Sequence, residues 1–230
     1  MKPAIWSRRL HKWLGLLVGI QALFWMASGL YMTAISIEII HGDHLAHLEE
    51  GELRPAKLVA PPAQVTSQYA GVTGFRLKQS QGSELYQVRH ADGVALVNAR
   101  TGQRLAPLDE KAVRALALSY YQGEGELERL QLLTELPGEV AKRKGPLWRA
   151  EFSDGNGTTL YISPSTGELV AKRHTLWRIF DFLWMLHIMD YDTRDNINNN
   201  LLRVAATAGT LFAFSGIWLL WFSFRRRATA

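Results

Sequence analysis

The chain has no cysteine at all. That excludes disulfides, iron–sulfur clusters and thiolate metal sites, and leaves any outward-facing domain to be held by packing alone. Catalytic signatures are missing too: there is no G-x-S-x-G, H-E-x-x-H, P-loop or dinucleotide fingerprint, and no catalytic residue is assigned. Charge is absent from two long stretches, "WLGLLVGIQALFWMASGLYMTAIS" at 13–36 and "VAATAGTLFAFSGIWLLWFSF" at 204–224. As helices they would be about 36 and 31 Å long, enough to cross a hydrocarbon core of roughly 30 Å. Two spans are expected, with everything between them on one side.

Acidic residues are lacking at both ends. Residues 1–12 hold Lys2, Arg8, Arg9 and Lys12, and residues 225–230 hold Arg225, Arg226 and Arg227, with no acid in either. Those seven cations leave nineteen basic against twenty-one acidic residues elsewhere, so the formal net charge of +5 is a topology signal. A basic footprint for nucleic acid is therefore not expected. By the positive-inside rule both termini are cytoplasmic and residues 37–200 face outward. The first apolar run exceeds a signal-peptide core of about 7–15 residues, which points to an uncleaved anchor. Seven of the eight tryptophans, all except Trp148, lie within or beside the apolar segments, as interfacial belts do.

Between the spans, "ELYQVRHADGVALVNARTGQRLA" (84–106) and "LWRAEFSDGNGTTLYISPSTGELVA" (147–171) share one order of parts. Each has an alternating strand, an Asp-Gly turn (Asp92-Gly93, Asp154-Gly155), an apolar strand and a Thr-Gly turn (Thr101-Gly102, Thr166-Gly167). A helix is expected before each. The clearer one, "LDEKAVRALALSYYQ", has Asp109 placed to cap and Val113, Leu116 and Tyr120 on one face; its counterpart is "PPAQVTSQYA". The unit, a helix plus a three-stranded antiparallel sheet, occurs twice, which makes the chain α+β.

The hairpins ending Asn98-Ala-Arg-Thr-Gly102 and Ser163-Pro-Ser-Thr-Gly167 resemble the PepSY domain. "LHKWLGL" at 10–16, the Leu186-His187 pair and the closing "FSGIWLLWFSFRRR" resemble the ends of PepSY-associated transmembrane proteins. Asn98 and Ser163 stand where relatives usually carry Asp, and many relatives have additional spans. The resemblance implies a membrane protein with a periplasmic domain. Relatives often accompany iron, siderophore or haem handling, some larger ones hold haem and move electrons across the membrane, and PepSY units elsewhere are linked to inhibiting peptidases.

The expected division is 1–12 cytoplasmic end, 13–36 first span, 37–58 a juxtamembrane histidine segment, 59–108 and 109–173 the two repeats. An interfacial amphipathic helix and linker follow at 174–200, then the second span at 201–224 and a cytoplasmic end at 225–230.

Histidine is the residue type that could carry chemistry. "HGDHLAH" places His41, His44 and His47 at spacings of three, where they and Asp43 could bind a transition metal, or simply line a solvated segment interrupted at Gly42. His187 shares a helical stripe with Phe180, Trp184 and Tyr191. It could hold one axial position of a b-type haem, with the second ligand from His44 or His47 or from another chain, or it could bond a nearby carboxylate or carbonyl. His11 lies at the opposite face, separated from His187 by about 30 Å of bilayer, as a ligand for a pair made with another chain or as part of the basic anchor. Gly209 and Gly216 share a face of the second span and could pack against another helix.

These features lead to an inner-membrane PepSY protein that acts as a non-enzymatic accessory subunit of an electron-transfer or iron/haem-handling system. If catalytic, it would be a component of a haem-dependent membrane reductase. The alternative is a periplasmic protein-binding or regulatory module. Its partners are the bilayer and a membrane protein or a second copy of itself.

Overall fold

The computed structural model describes residues 3–47, 52–53, 59–80 and 82–227, with side chains from His11 to Trp218 and at Leu220 among these. Lys2, Glu49, Glu50 and residues 48–51 and 54–58 of the expected 37–58 segment fall outside the described residues, as do the side chains of Arg8, Arg9 and Arg225–Arg227. The chain forms two compact units, residues 1–40 with 176–230, and residues 41–175.

The first unit is helical. α1 (Pro3–Ala34) and α6 (Asn200–Arg227) are its long helices, and α2 (Ile37–His41) and α5 (Thr175–Ile188) the shorter ones. The windows His11–Ala34 and Asn200–Trp218 are long and apolar enough to cross a membrane. Their large side chains face outward, with Leu17 70%, Leu30 69% and Val204 67% exposed. So much uncovered apolar surface is stable against lipid, not water. The two helices run antiparallel. A Cβ on Gly209 would lie 3.8 Å from Val18 and one on Gly15 only 3.0 Å from the Phe212 ring, so Gly15 makes room for that ring. Gly209 therefore faces α1, while Gly216 opens onto empty space.

The second unit holds two antiparallel meanders, each preceded by a helix. α3 (Pro62–Thr66) comes before β1 (Gly74–Ser80), β2 (Ser83–His90) and β3 (Gly93–Asn98), ordered β1-β2-β3. α4 (Glu110–Tyr120) comes before β4 (Leu127–Leu133), β5 (Leu147–Phe152), β6 (Thr159–Ile162) and β7 (Leu169–Arg173), ordered β4-β5-β6-β7. The expectation of three strands each is corrected in two ways. The strand anticipated after Thr101-Gly102 is only a bridge, Val97 with Arg104, and the third strand of that sheet is β1, which pairs with β2 from Gly74↔Arg89 to Ser80↔Ser83. The second sheet gains a fourth strand because β7 does return along β6, while β4 pairs with β5.

The two Thr-Gly turns have matching bonds. Gly102 N–H donates to Asn98 O (2.9 Å) and Gly167 N–H to Ser163 O (2.8 Å), with φ of +69° and +67° that favour glycine. Asn98 Oδ1 accepts from Arg100 N and Thr101 N, and Ser163 Oγ from Thr166 N. Asn and Ser thus provide the acceptor that an aspartate would.

Packing follows pattern. Asp109 caps α4, its carboxylate accepting from Ala112 N at 2.8 Å, and Val113, Leu116, Ala117 and Tyr120 face Ala150, Phe152, Leu160 and Ile162. Val140, Leu147, Tyr161 and Ala171 form a cluster of their own. β6, with strands on either side, is buried along its whole length, as its sequence Thr-Leu-Tyr-Ile permits. The buried Tyr120 hydroxyl donates to Gly167 O (2.7 Å), and burial first, then the Glu168 charge, pushes its pKa up to about 12. The first sheet has a separate core of Val65, Tyr86, Val88 and Val97.

Candidate functional site

The helical unit places its polar chemistry where α5 lies along α1. Tyr31 Oη donates to Leu176 O (2.9 Å) near the start of α5, and Gln21 Nε2 to Leu186 O (3.4 Å) near its end, so the helices are antiparallel. α5 stops at Ile188, and Met189 takes a φ of +54°. A helix end leaves carbonyls without intrahelical donors. Here Leu186 O is met by Gln21, His187 O by Trp25 Nε1 at 2.7 Å, and Ile188 O by Asn199 Nδ2 at 2.8 Å.

His187 sits at this capped end. Its Nδ1 lies 2.7 Å from Ser28 Oγ, and Ser28 is fully buried. The Ser28 hydroxyl has one hydrogen, and its shortest acceptor contact is Phe24 O at 2.6 Å, one turn back on α1. With that hydrogen committed, Oγ accepts from Nδ1–H, an arrangement that in the neutral ring leaves the lone pair on Nε2. The ring is parallel to Trp184, with centroids 6.3 Å apart at 4°, and Trp184 is stacked on Phe180 at 6.1 Å. Tyr191 leaves the expected stripe because the helix ends before it; it is exposed in the following loop.

That loop is built on Asp190. Its carboxylate accepts from Asp192 N, Thr193 N, Thr193 Oγ1, Asp195 N and Asn196 N. The Thr193 hydroxyl first, and then the Asn196 amide, hold its pKa well below the usual aspartate range. Arg194 pairs with Asp181 of α5, and Asn199 Oδ1 caps α6 by accepting from Leu202 N (2.8 Å). The polar run before α6 is therefore a self-satisfied connector.

His11 has the same kind of setting. Its Nδ1 lies 3.2 Å from Ser215 Oγ, whose hydroxyl donates to Phe212 O at 2.7 Å, and its ring stacks on Phe212 at 4.4 Å. Both imidazoles are thus tied through Nδ1 to a serine already committed to its own helix. Ser28 and His11 are seventeen residues apart on α1, about 25 Å along a helix, so the two histidines cannot share one ligand within a chain.

His41, His44 and His47 belong to the other unit, and all three are exposed. α2 ends at His41 and Gly42 follows with φ +72°, so the spacing of three does not continue on one helical face. The chain beyond it docks by strand-like bonds, with His47 N donating to Tyr120 O and Gln122 N to Leu45 O. Asp43 is engaged by Lys172, and His44 meets the buried His174 edge-on at 6.0 Å. Among the described residues no group of three His, Asp or Glu side chains converges as a metal would require.

The serines and the cap donors were not anticipated. A signal for them was present, since Gln21, Trp25, Ser28 and Tyr31 recur at spacings of four and three through an otherwise apolar helix. That periodicity places hydrogen-bonding groups on one stripe of α1.

The family model described as the PepSY-associated TM region matches residues 8–230, almost the entire sequence. The chain belongs to this family. A PepSY-associated TM protein with two apolar helices is a membrane protein in contact with the bilayer. Neither the curated proteins nor the solved structures include a match to it.

Proposed function

We propose that this PepSY-associated TM protein is a non-enzymatic accessory subunit of a membrane electron-transfer or iron/haem-handling system. In this reading His187 would hold a b-type haem through its imidazole. The observation that carries it is the Ser28–His187 contact, which engages Nδ1 and leaves Nε2 turned away from its anchor. A bound haem would supply one-electron redox chemistry. The chain's own residues hold the imidazole: Ser28 its tautomer, Trp184 its face, Trp25 the backbone beneath it. One histidine is an incomplete set, and His11 is too distant, so the second ligand would come from His44 or His47, from a partner or from a second copy.

The topology proposed is both termini cytoplasmic, from the cations at the two ends, with residues 41–175 in the periplasm. The two meanders are proposed to be PepSY repeats, supported by the matching Thr-Gly turns. α5 is proposed to lie at the outer membrane boundary, supported by its exposed Phe182 and Ile179.

Titrating haem into the full chain in nanodiscs tests this. Saturable binding with a shifted Soret band, lost in His187→Ala and kept in His11→Ala, is expected; identical titrations for wild type and His187→Ala would end the proposal.

A second reading has its own observation. β4 is an edge strand that carries a 43% exposed Leu132, a place where a partner's strand could add by main-chain bonding. Loss of a co-purifying protein in Leu132→Lys, with spectra unchanged, would favour this module over the redox subunit.

A further inference from the structure

Carboxylates inside the second unit are generally satisfied. Asp154 accepts from Asn156 N and Thr158 N, and Glu139 accepts from the Tyr161 hydroxyl. Glu84 is different. It is 5% exposed, and its Oε1 is buried with no hydrogen-bond partner, the one carboxylate among the described residues of which this is true. A buried polar atom normally finds a partner, and a buried carboxylate without one is costly unless a ligand supplies it.

Glu84 lines an open, polar cavity of about 330 Å³ together with Gly82, Ser83, Asn98 and Arg100. The topology makes this place. β2 begins at Ser83 beside the end of β1, and β3 ends at Asn98, opposite Leu85, in the Thr-Gly turn that carries Arg100. Asn98 Oδ1 is consumed by the turn, so it does not satisfy Glu84. Arg100 is exposed at the cavity and joins no ion pair among the described residues.

We infer that this cavity binds a zwitterion of amino-acid type, Glu84 taking its ammonium or guanidinium and Arg100 its carboxylate. A lone carboxylate with an arginine beside it is a poor donor set for a divalent metal, which needs several oxygens and no neighbouring cation. Opposite charges on one wall, in a space of this size, suit a free amino acid or the end of a short peptide.

The test is calorimetric titration of the full chain in detergent with L-arginine, L-lysine, trilysine and trilysine amide. Saturable binding of at least one probe is expected, weakened at least about ten-fold in Glu84→Gln, which keeps the shape and removes the charge. Arg100→Gln should weaken trilysine but not its amide. Tighter binding of the free amino acids identifies a small-molecule site; tighter binding of trilysine identifies a peptide end. Glu84→Gln should melt no lower than wild type, since the buried Oε1 has no protein hydrogen bond to lose. No saturable heat from any probe, unchanged affinity in Glu84→Gln, or a marked fall in its melting temperature would each overturn the inference. Glu84→Asp, which withdraws the charge by one methylene, should bind more weakly than wild type but retain the Arg100 dependence.

Discussion

Replacing Ser28 by alanine removes one oxygen and tests how His187 is held. The helix loses little, because alanine is the better helix former by roughly 0.5 kcal/mol and the Ser28–Phe24 bond lies within α1. The effect falls on His187, whose Nδ1–H loses its acceptor at 2.7 Å. A hydrogen bond of this kind contributes a net of roughly 1 kcal/mol, a bias of about five-fold between the two neutral tautomers. Leaving Nδ1–H without a partner in the half-buried setting costs about 1–3 kcal/mol. The net destabilisation of Ser28→Ala is therefore about 0.5–2.5 kcal/mol by these figures. The assay is nitrogen NMR of histidine-labelled protein in detergent. Wild type should show His187 with Nδ1 protonated and Nε2 bare, and Ser28→Ala should erode that preference. A wild-type His187 protonated at Nε2 at neutral pH would refute the reasoning, because the bare nitrogen would then face Ser28. So would a Ser28→Ala spectrum indistinguishable from wild type.

Other consequences are as concrete. Leu160→Ala opens a void between α4 and the second sheet and should cost about 2–5 kcal/mol, read by chemical denaturation of the full chain. Asp109→Ala should cost about 1 kcal/mol in the same assay by leaving Ala112 N uncapped. Gly15→Leu should push Phe212 from α1 and abolish the His11–Phe212 stacking, visible as a changed His11 ring environment in NMR with His187 undisturbed. Asp190 has its carboxyl pKa held down in the folded chain, so its stabilising effect is complete above the ordinary aspartate range near 4 and is lost as pH falls through the lower folded value. Amide exchange at Asp195 and Asn196 should stay slow, relative to the intrinsic rate, through pH 4 and quicken only below it. Asp190→Asn should remove that acid dependence and quicken exchange at neutral pH.

The sequence was most legible where burial and local pattern agree. Two uncharged runs announced α1 and α6, Asp109 and the Val113/Leu116/Tyr120 stripe announced α4, and the Thr-Gly pairs marked equivalent turns. β1 and β4 were not anticipated, because "GFRLKQS" and "LERLQLL" are edge strands with mixed surfaces, and only pairing with β2 and β5 makes them strands. At the site, His187 stood out from the sequence, but its anchor did not. Ser28 lies 159 positions away, within a run read as uniformly apolar, and only the antiparallel course of α5 along α1 brings them together. Spacing suggested a metal cluster at His41, His44 and His47, yet one glycine at positive φ is enough to break the helical face on which spacing relies. Glu84 looked like an ordinary polar residue of an alternating strand, since burial without a partner is a property of the folded sheet alone.

The central claim is that His187 is a cofactor ligand, and the most direct measurement uses the protein from its own membrane. The full chain, purified in mild detergent after haem-replete growth, should give a Soret band in the oxidised state and sharp α and β bands after dithionite reduction. His187→Ala should lose them, and Ser28→Ala should shift or weaken them. Wild-type protein free of chromophore, or bands that persist unchanged in His187→Ala, would contradict the account.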